Sequence, residues 1–438
     1  MGADEKIAQL EARLDSFDPA ERAQALEDLL AIVKHGGISL PDPQPRVNLH
    51  AHSFFSYNAL GYSPAHIVWR ARREGLRAVG LVDFDVFDGV DEFLRAGERL
   101  GIPTVAGMET RAYIPEFSTR EVNSPGEPGI TYHMVMGVAR SAIDGAEARK
   151  FAEMLRSSAR RRNETVVELV NAHLDPVVLD YKADVLPLSP SGTPTERHLC
   201  LAYQKKAEAV LPDRDARVRF WSDRLGSPPA EVAAILASSS KLQALIRAKT
   251  MKQGGAGYQK PAPEAFPLMA DVNRFALAIG AIPTATWLDG TSKGEQDIEE
   301  LLDLLMKAGT AALNIIPDRN WNIADARAKA VKVRNLYRIV ELAGARGLPL
   351  CIGTEMNAPG QRCVDDFGAP ELAPVVDSFL RGAAVLVGHT AAVLSGEDGY
   401  LSAWAEGKFR TVAEKNDYFA RLAEATPWQA RRGQSWRR

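Results

Sequence analysis

The stretch "VNLHAHSFF" places two histidines one residue apart at the end of a short apolar run. In a β-strand, residues i and i+2 point to the same face, so His50 and His52 can present their imidazoles together. Imidazole nitrogen is a common ligand of Zn, Mn and Fe in proteins. The pair predicts a metal site if carboxylates reach it from elsewhere in the chain. The alternative is that two histidines only share one face of a strand.

Acidic residues recur at the ends of later apolar runs. Each unit is a helical segment that ends at glycine, a continuous apolar run, and then Asp83, Glu109, Asp289, Asp318 or Glu355. Continuous apolar runs suit strands buried on both faces, and their alternation with helices favours parallel strands with right-handed crossovers. Active sites of β/α barrels lie at the carboxyl ends of the strands. The pattern therefore favours a shared site, although an acid that opens a turn remains the alternative for each position.

Composition and turn signals divide the chain into five segments. The predicted segments are an N-terminal helical extension at 1–44, a first barrel part at 45–140, a charged helical insertion at 141–265, a second barrel part at 266–395, and a C-terminal helical tail at 396–438.

The bulk properties exclude several classes of function. A net charge of -3 over 438 residues gives no electrostatic argument for nucleic-acid binding. The three cysteines form no CxxC pair, which fits a reducing cytoplasm better than a disulfide framework. The N-terminus has the pattern of an amphipathic helix rather than a signal peptide, and no apolar run is long enough to span a membrane. We expect a cytoplasmic protein without nucleic-acid or membrane partners, and the oligomeric state stays open.

Five motifs, taken in order, resemble those of the PHP (polymerase and histidinol phosphatase) family. They read "LHAHSFFSYN", "GLVDFDVFDGVDEF", "AGMETRAY", "HMVMGVA" and "CIGTEMNAPG". The resemblance covers about 45–140 and 268–395. It implies an α/β fold, a distorted seven-stranded TIM-like (β/α)7 barrel that holds two or three divalent metals at its C-terminal face and hydrolyses phosphate esters.

The resemblance also implies a set of metal ligands. It assigns His50, His52, Glu109 and His133, with Glu109 bridging two metals, and it places Glu355 where the family has Asp. Asp289 lies two residues beyond a position at which the family has histidine, and we expect it as an additional ligand. Two histidines and two carboxylates suit Zn, Mn or Fe.

Three family histidines are missing, and all three belong to the third metal. Their positions carry Asn58, Phe84 and Asn357. Because scattered decay would affect the metal sites more evenly, the chain is expected to hold one or two divalent ions, no third ion and no organic cofactor.

Four residues are candidates for direct roles in catalysis. Glu109 holds the metals, and Asp83 is expected to orient a histidine ligand, with a turn-forming acid as its alternative. Arg319 and Arg362 follow strand ends where the barrel mouth is expected, as do Arg111 and Lys293. A single such cation is more often a solvated charge, but the group favours an anionic substrate.

The sequence therefore predicts a metal-dependent hydrolase, a phosphoesterase that uses activated water on a small phosphorylated substrate. Two alternatives stay open. One is a catalytically reduced barrel that serves as a binding or regulatory module, and the other is a metal hydrolase of a non-phosphate bond.

Overall fold

A seven-stranded sheet forms the centre of the molecule. A computed structural model describes residues 2–259 and 265–425. The strands are β1 (Gln44–Asn48), β2 (Leu76–Phe84), β3 (Thr104–Tyr113), β4 (Ile130–Met136), β5 (Ile282–Trp287), β6 (Ala312–Ile315) and β7 (Leu350–Ile352). Each strand pairs with its neighbours in chain order. All pairs are parallel except those of β4, which runs antiparallel to β3 and β5.

Hydrogen bonds just beyond the end of β1, to β7 and the residues after it, nearly close the sheet into a barrel. The amide of Leu49 donates to the carbonyl of Ile352 at 2.7 Å, and the amide of His52 donates to the carbonyl of Glu355 at 2.9 Å. Ala51 and Glu355 form a parallel bridge. The predicted fold class, an α/β TIM-like barrel of seven strands, is confirmed.

The direction of β4 departs from the all-parallel pattern. The connection from β3 to β4 contains only the short 3₁₀ turn Pro115–Phe117. Parallel neighbours need a crossover that carries the chain back to the other end of the sheet, usually through a helix. Because this connection makes no such crossover, β4 returns antiparallel to β3.

Sixteen helices surround the sheet or extend from it in the described part of the chain. They are α1 (Ala3–Arg13), α2 (Pro19–Lys34), α3 (Pro64–Arg73), α4 (Val90–Leu100), α5 (Ala146–Leu174), α6 (Glu196–Val210), α7 (Arg214–Leu225), α8 (Pro229–Ile235), α9 (Ser239–Thr250), α10 (Met269–Ala278), α11 (Ile298–Lys307), α12 (Asp318–Trp321), α13 (Ala326–Ala345), α14 (Val376–Leu394), α15 (Ala403–Lys408) and α16 (Val412–Ala425). None of these helices is long and apolar enough to cross a membrane. The part of the predicted C-terminal tail beyond Ala425 lies outside the described residues.

The helices between β4 and β5 bury an apolar cluster of their own. Tyr203, Trp221 and Ile246 are fully buried within it, and this cluster is separate from the one that fills the barrel and its helix layer. We call α5–α9 and their connections the insertion.

Gly107 in β3 tests how closely β3 and β4 pack. A Cβ at Gly107 would lie 2.0 Å from the carbonyl oxygen of Val135 on β4. Since backbone atoms cannot move aside cheaply, we expect Gly107→Ala to lower the free energy of unfolding by about 2 kcal/mol or more. Urea denaturation measures this change.

Gly344 in α13 is the matched control. A Cβ there meets no atom within 4 Å. Because alanine favours helix, Gly344→Ala should leave stability unchanged or raise it by up to about 1 kcal/mol. Equal midpoints and slopes for the two variants would contradict the packing described for β3 and β4.

Candidate metal centre

Three buried side chains converge at the barrel mouth. The Nε2 atoms of His50 and His52 are 3.2 Å apart. They lie 3.6 Å and 3.3 Å from Oε2 of Glu109. His50 and His52 follow β1, and Glu109 lies within β3, so the sheet brings together residues that are far apart in sequence. These three residues form a group of the kind that holds a metal ion.

Neighbouring polar side chains hold each histidine ring with its Nε2 toward Glu109. Asn314 donates its amide nitrogen to Thr286 Oγ1 at 3.3 Å, so its oxygen faces His50 Nδ1 at 3.1 Å. That oxygen accepts a hydrogen bond from Nδ1–H, which leaves the lone pair of His50 Nε2 free. Ser56 Oγ donates to Asp83 and lies 3.5 Å from His52 Nδ1, so it favours the same tautomer for His52.

The resulting donor set fits a divalent cation. Oε2 of Glu109 is buried and has no hydrogen-bond partner among the described residues. Burial raises the pKa of Glu109, but the positive charge that His50 and His52 carry when protonated outweighs that effect and lowers the pKa to about 2. The side chain is therefore a carboxylate at neutral pH. Two imidazole lone pairs and a carboxylate oxygen suit Zn, Mn or Fe.

Asp83 forms hydrogen bonds to the loop that follows His52. Its buried carboxylate accepts hydrogen bonds from the amide of Ser53 at 2.7 Å, from Ser53 Oγ at 2.6 Å and from Ser56 Oγ at 2.7 Å. These bonds hold the loop that follows His52. Asp83 thus reaches His52 only through Ser56.

Glu355 lies next to the group and is held by other partners. Its Oε2 accepts hydrogen bonds from Arg319 at 2.8 Å and from Gln361 at 2.9 Å. Burial raises the pKa of Glu355, and the charges of Arg319 and His50 outweigh it and lower the pKa. The residue has φ +65°, a left-handed conformation that few non-glycine residues adopt. Glu355 is thus a carboxylate at the mouth, ion-paired with Arg319.

The structure corrects the assignment of His133. In the β3–β4 pair, Glu109 lies opposite Met134, whereas His133 lies opposite Thr110. Since alternate residues of a strand point to opposite faces, His133 points away from Glu109. Its Nε2 contacts Asn273 of α10 at 2.6 Å. Burial lowers the pKa of His133 to about 4, so the ring is neutral and lies in the helix layer.

Three further residues that the sequence placed at the mouth lie elsewhere. Asp289 forms an ion pair with Lys332 at 2.8 Å and is not part of the group. Arg362 is half-exposed, lies 3.9 Å from Asp366 and does not line the cavity above the group, and Lys293 is exposed. With His133 and Asp289 elsewhere, the described residues do not assemble the ligand set expected for a second metal.

The positions that lack the third-metal histidines have other roles. Phe84 stacks on His52, with ring centroids 4.6 Å apart and planes 6° apart. Asn58 donates to the carbonyl of His52 at 2.7 Å and accepts from the amide of Leu60 at 2.8 Å. Asn357 lines the cavity. Phe84 and Asn58 therefore help to hold His52 in place.

A cavity of about 680 Å³ opens above Glu109. From the barrel, Phe84, Arg111, Arg319 and Glu355 line it, and Arg111 forms an ion pair with Glu127 at 2.9 Å. The insertion lines the opposite side with a group of cations that the sequence analysis missed: Arg156, Arg160, Arg162, Arg197, Arg247 and Lys252. The charged composition of the insertion was visible, but spacing alone does not show which cations face the barrel.

Comparison with known proteins finds sequence similarity over a short stretch and structural similarity over most of the chain. No family model matches the chain. The error-prone DNA polymerase of Corynebacterium diphtheriae is 39% identical over 66 residues, and that of Nocardia farcinica is 42% identical over 65 residues. Each match covers 15% of this chain and only 6% of the polymerase.

Two solved structures align with most of this chain. An amidohydrolase from Chromobacterium violaceum, solved with bound sulfate and no metal, is 15% identical, with a TM-score of 0.50 over 77% of this chain and 96% of its own. A protein described as a metal-dependent phosphoesterase from Bifidobacterium adolescentis is 18% identical, with a TM-score of 0.48 over 78% of this chain and 98% of its own. The amidohydrolase shares the barrel fold with this chain.

The environments of His52 and His133 predict opposite effects of substitution on metal content. We expect His52→Gln to lose stoichiometric metal because it removes an Nε2 ligand, whereas His133→Gln should keep it because that ring contacts Asn273. Elemental analysis of protein produced with Mn, Zn or Fe measures the difference, and circular dichroism checks that both variants fold. Loss of metal in His133→Gln alone would contradict this placement of the ligands.

Proposed function

We propose that this chain is a metal-dependent hydrolase that cleaves a phosphate ester of a small molecule. The observation that carries the proposal is the convergence of two imidazole nitrogens and one donor-free carboxylate oxygen at the floor of a cavity lined with arginines. A divalent cation would satisfy Glu109, and the eight arginine and lysine side chains that line the cavity, against six aspartate and glutamate side chains, favour an anionic substrate.

His50, His52 and Glu109 would hold one divalent cation. When bound, such a cation supplies Lewis-acid polarisation of a substrate oxygen and eases the deprotonation of water. Asn314 and Ser56 keep the two rings oriented with Nε2 toward the ion. These contacts also restrict ring rotation, so the ligands are arranged before the ion arrives.

Arg319 is the barrel cation best placed to contact the substrate. It forms an ion pair with Glu355, yet 45% of its side chain remains exposed at the cavity. A guanidinium carries five N–H donors, so a second acceptor can bind without breaking the pair. A phosphate group offers acceptor oxygens in the geometry that arginine prefers.

Cleavage of an amide is the second candidate. The Chromobacterium protein with the same fold is named an amidohydrolase. A metal site with Lewis-acid character also serves carbonyl substrates, so the choice of bond depends on the rest of the cavity. The arginines favour the phosphate ester.

Glu109→Gln tests the hydrolase proposal. We expect it to lose metal-dependent turnover of phosphomonoesters by a factor of about 10³ or more, because the variant loses the charged ligand. The assay uses a panel of phosphomonoesters, phosphodiesters and amides with added Mn or Zn. Gly344→Ala, far from the cavity, is the control and should match the parent protein.

The panel separates the candidates by result. Amide turnover without phosphoester turnover would transfer the proposal to amide hydrolysis. Equal, metal-independent results for the parent protein and Glu109→Gln would favour a binding module without catalysis.

A further inference from the structure

The insertion contributes to the cavity lining a group of charged side chains whose net charge is positive. We call Glu196, Arg197, Arg247 and Lys252 the roof cluster. Glu196 Oε2 lies 2.9 Å from Arg247 Nε and 2.9 Å from Lys252 Nζ, so one carboxylate serves two cations. All four residues line the cavity.

Arg197 is the exceptional member of the roof cluster. Within residues 2–259 and 265–425, it has no ion pair and no side-chain hydrogen bond, although every other arginine or lysine that lines the cavity has a carboxylate within 4 Å. It is half-buried, and both burial and the nearby charge of Arg247 lower its pKa. A cation removed from water without a counter-charge is costly, so its position favours an anion from outside the chain.

The backbone around Arg197 adds to the positive potential. Arg197 lies in the first turn of α6, where the helix dipole is positive and opposes a cation. Thr195 and His198 close a capping box at this helix start. The turn is therefore fixed, and an anion near Arg197 would gain from both the side chain and the helix.

Contacts with the barrel set the position of the roof cluster relative to the metal centre. Thr193 donates to the carbonyl of Phe55 at 3.1 Å, and the Tyr57 ring packs edge-on against His198 at 5.2 Å. Phe55 and Tyr57 belong to the loop that follows His52. The same loop therefore contacts both the candidate ligand His52 and the start of α6.

We propose that the roof cluster is a second anion-binding subsite, centred on Arg197 and Arg247, that holds a second anionic group of the substrate. The inference rests on the proposed function for its reaction and goes further in naming the substrate class: a small molecule with two anionic groups, one at the metal centre and one at the roof. A cavity of about 680 Å³ is within the size range of sites for drug-sized molecules.

Inorganic sulfate tests the subsite without any reaction. The His50→Ala/His52→Ala double variant removes metal-dependent anion binding, and calorimetry then measures sulfate on the remaining protein. We expect one sulfate per chain, with affinity at least about tenfold weaker after Arg197→Gln is added and partly restored by Arg197→Lys. Arg214→Gln, on an exposed part of α7, is the matched control and should leave affinity unchanged.

A substrate series tests the second anionic group. Alkyl monophosphates are compared with α,ω-alkanediol bisphosphates of increasing chain length on the metal-loaded parent protein. We expect an optimum length at which the bisphosphate has a KM about tenfold lower than the monophosphate, and Arg197→Gln should remove that advantage whereas Arg214→Gln should keep it.

The two experiments fail separately. Sulfate binding that depends on Arg197, in a protein that hydrolyses no phosphoester, supports the subsite and contradicts the proposed function. Hydrolysis without any preferred bisphosphate, or sulfate affinity unchanged by Arg197→Gln, overturns the subsite and leaves the proposed function standing.

Discussion

The closure of the sheet between β1 and β7 is the constraint on which the site depends. The carbonyl of His50 accepts from the amide of Glu355 at 2.8 Å, and the amide of His52 donates to the carbonyl of Glu355 at 2.9 Å. Both histidines are therefore held by the backbone of the last strand end. The approach is so close that a Cβ at Gly353 would lie 2.4 Å from the amide nitrogen of His50. A site built on such a seam inherits the rigidity of the barrel rather than the mobility of a loop.

Several polar side chains around the seam are hydrogen-bonded, whereas Oε2 of Glu109 has no partner among the described residues. Asn48 donates to Thr354 and to the carbonyl of Cys363, and Asp83 accepts three hydrogen bonds. Buried polar groups normally find partners, so an unpaired carboxylate oxygen needs an explanation. Oε2 of Glu109 faces two imidazole nitrogens whose other ring nitrogens are already engaged. A divalent ion held by these three side chains would give that oxygen a partner.

The sequence predicted the fold and the convergence of His50, His52 and Glu109 because both follow from local rules. The two-residue period of extended backbone puts His50 and His52 on one face just beyond β1. Glu109 lies inside β3, not at the strand end that the pattern predicted. The assignment of His133 as a metal ligand was wrong. Whether its side chain faces Glu109 depends on the β3–β4 register, which was not visible in the sequence. Asp289 follows β5 as predicted, but its carboxylate forms an ion pair with Lys332 of α13. The cations of the insertion face the barrel through contacts across long stretches of chain, which spacing does not encode.

A long helix carries the chain from the end of β4 to the mouth. β4 runs antiparallel to both β3 and β5, so it ends at the face opposite the mouth, where β5 begins. α5 has 29 residues and spans roughly 44 Å at 1.5 Å per residue, which is enough to pass the mouth. Early in α5, Phe151 packs with Phe275 of the helix layer, and later Arg162 lies 3.7 Å from Asp85 at the cavity. The helix then enters the core of the insertion at Val167. The length and path of α5 thus bring cations of the insertion to the cavity above Glu109.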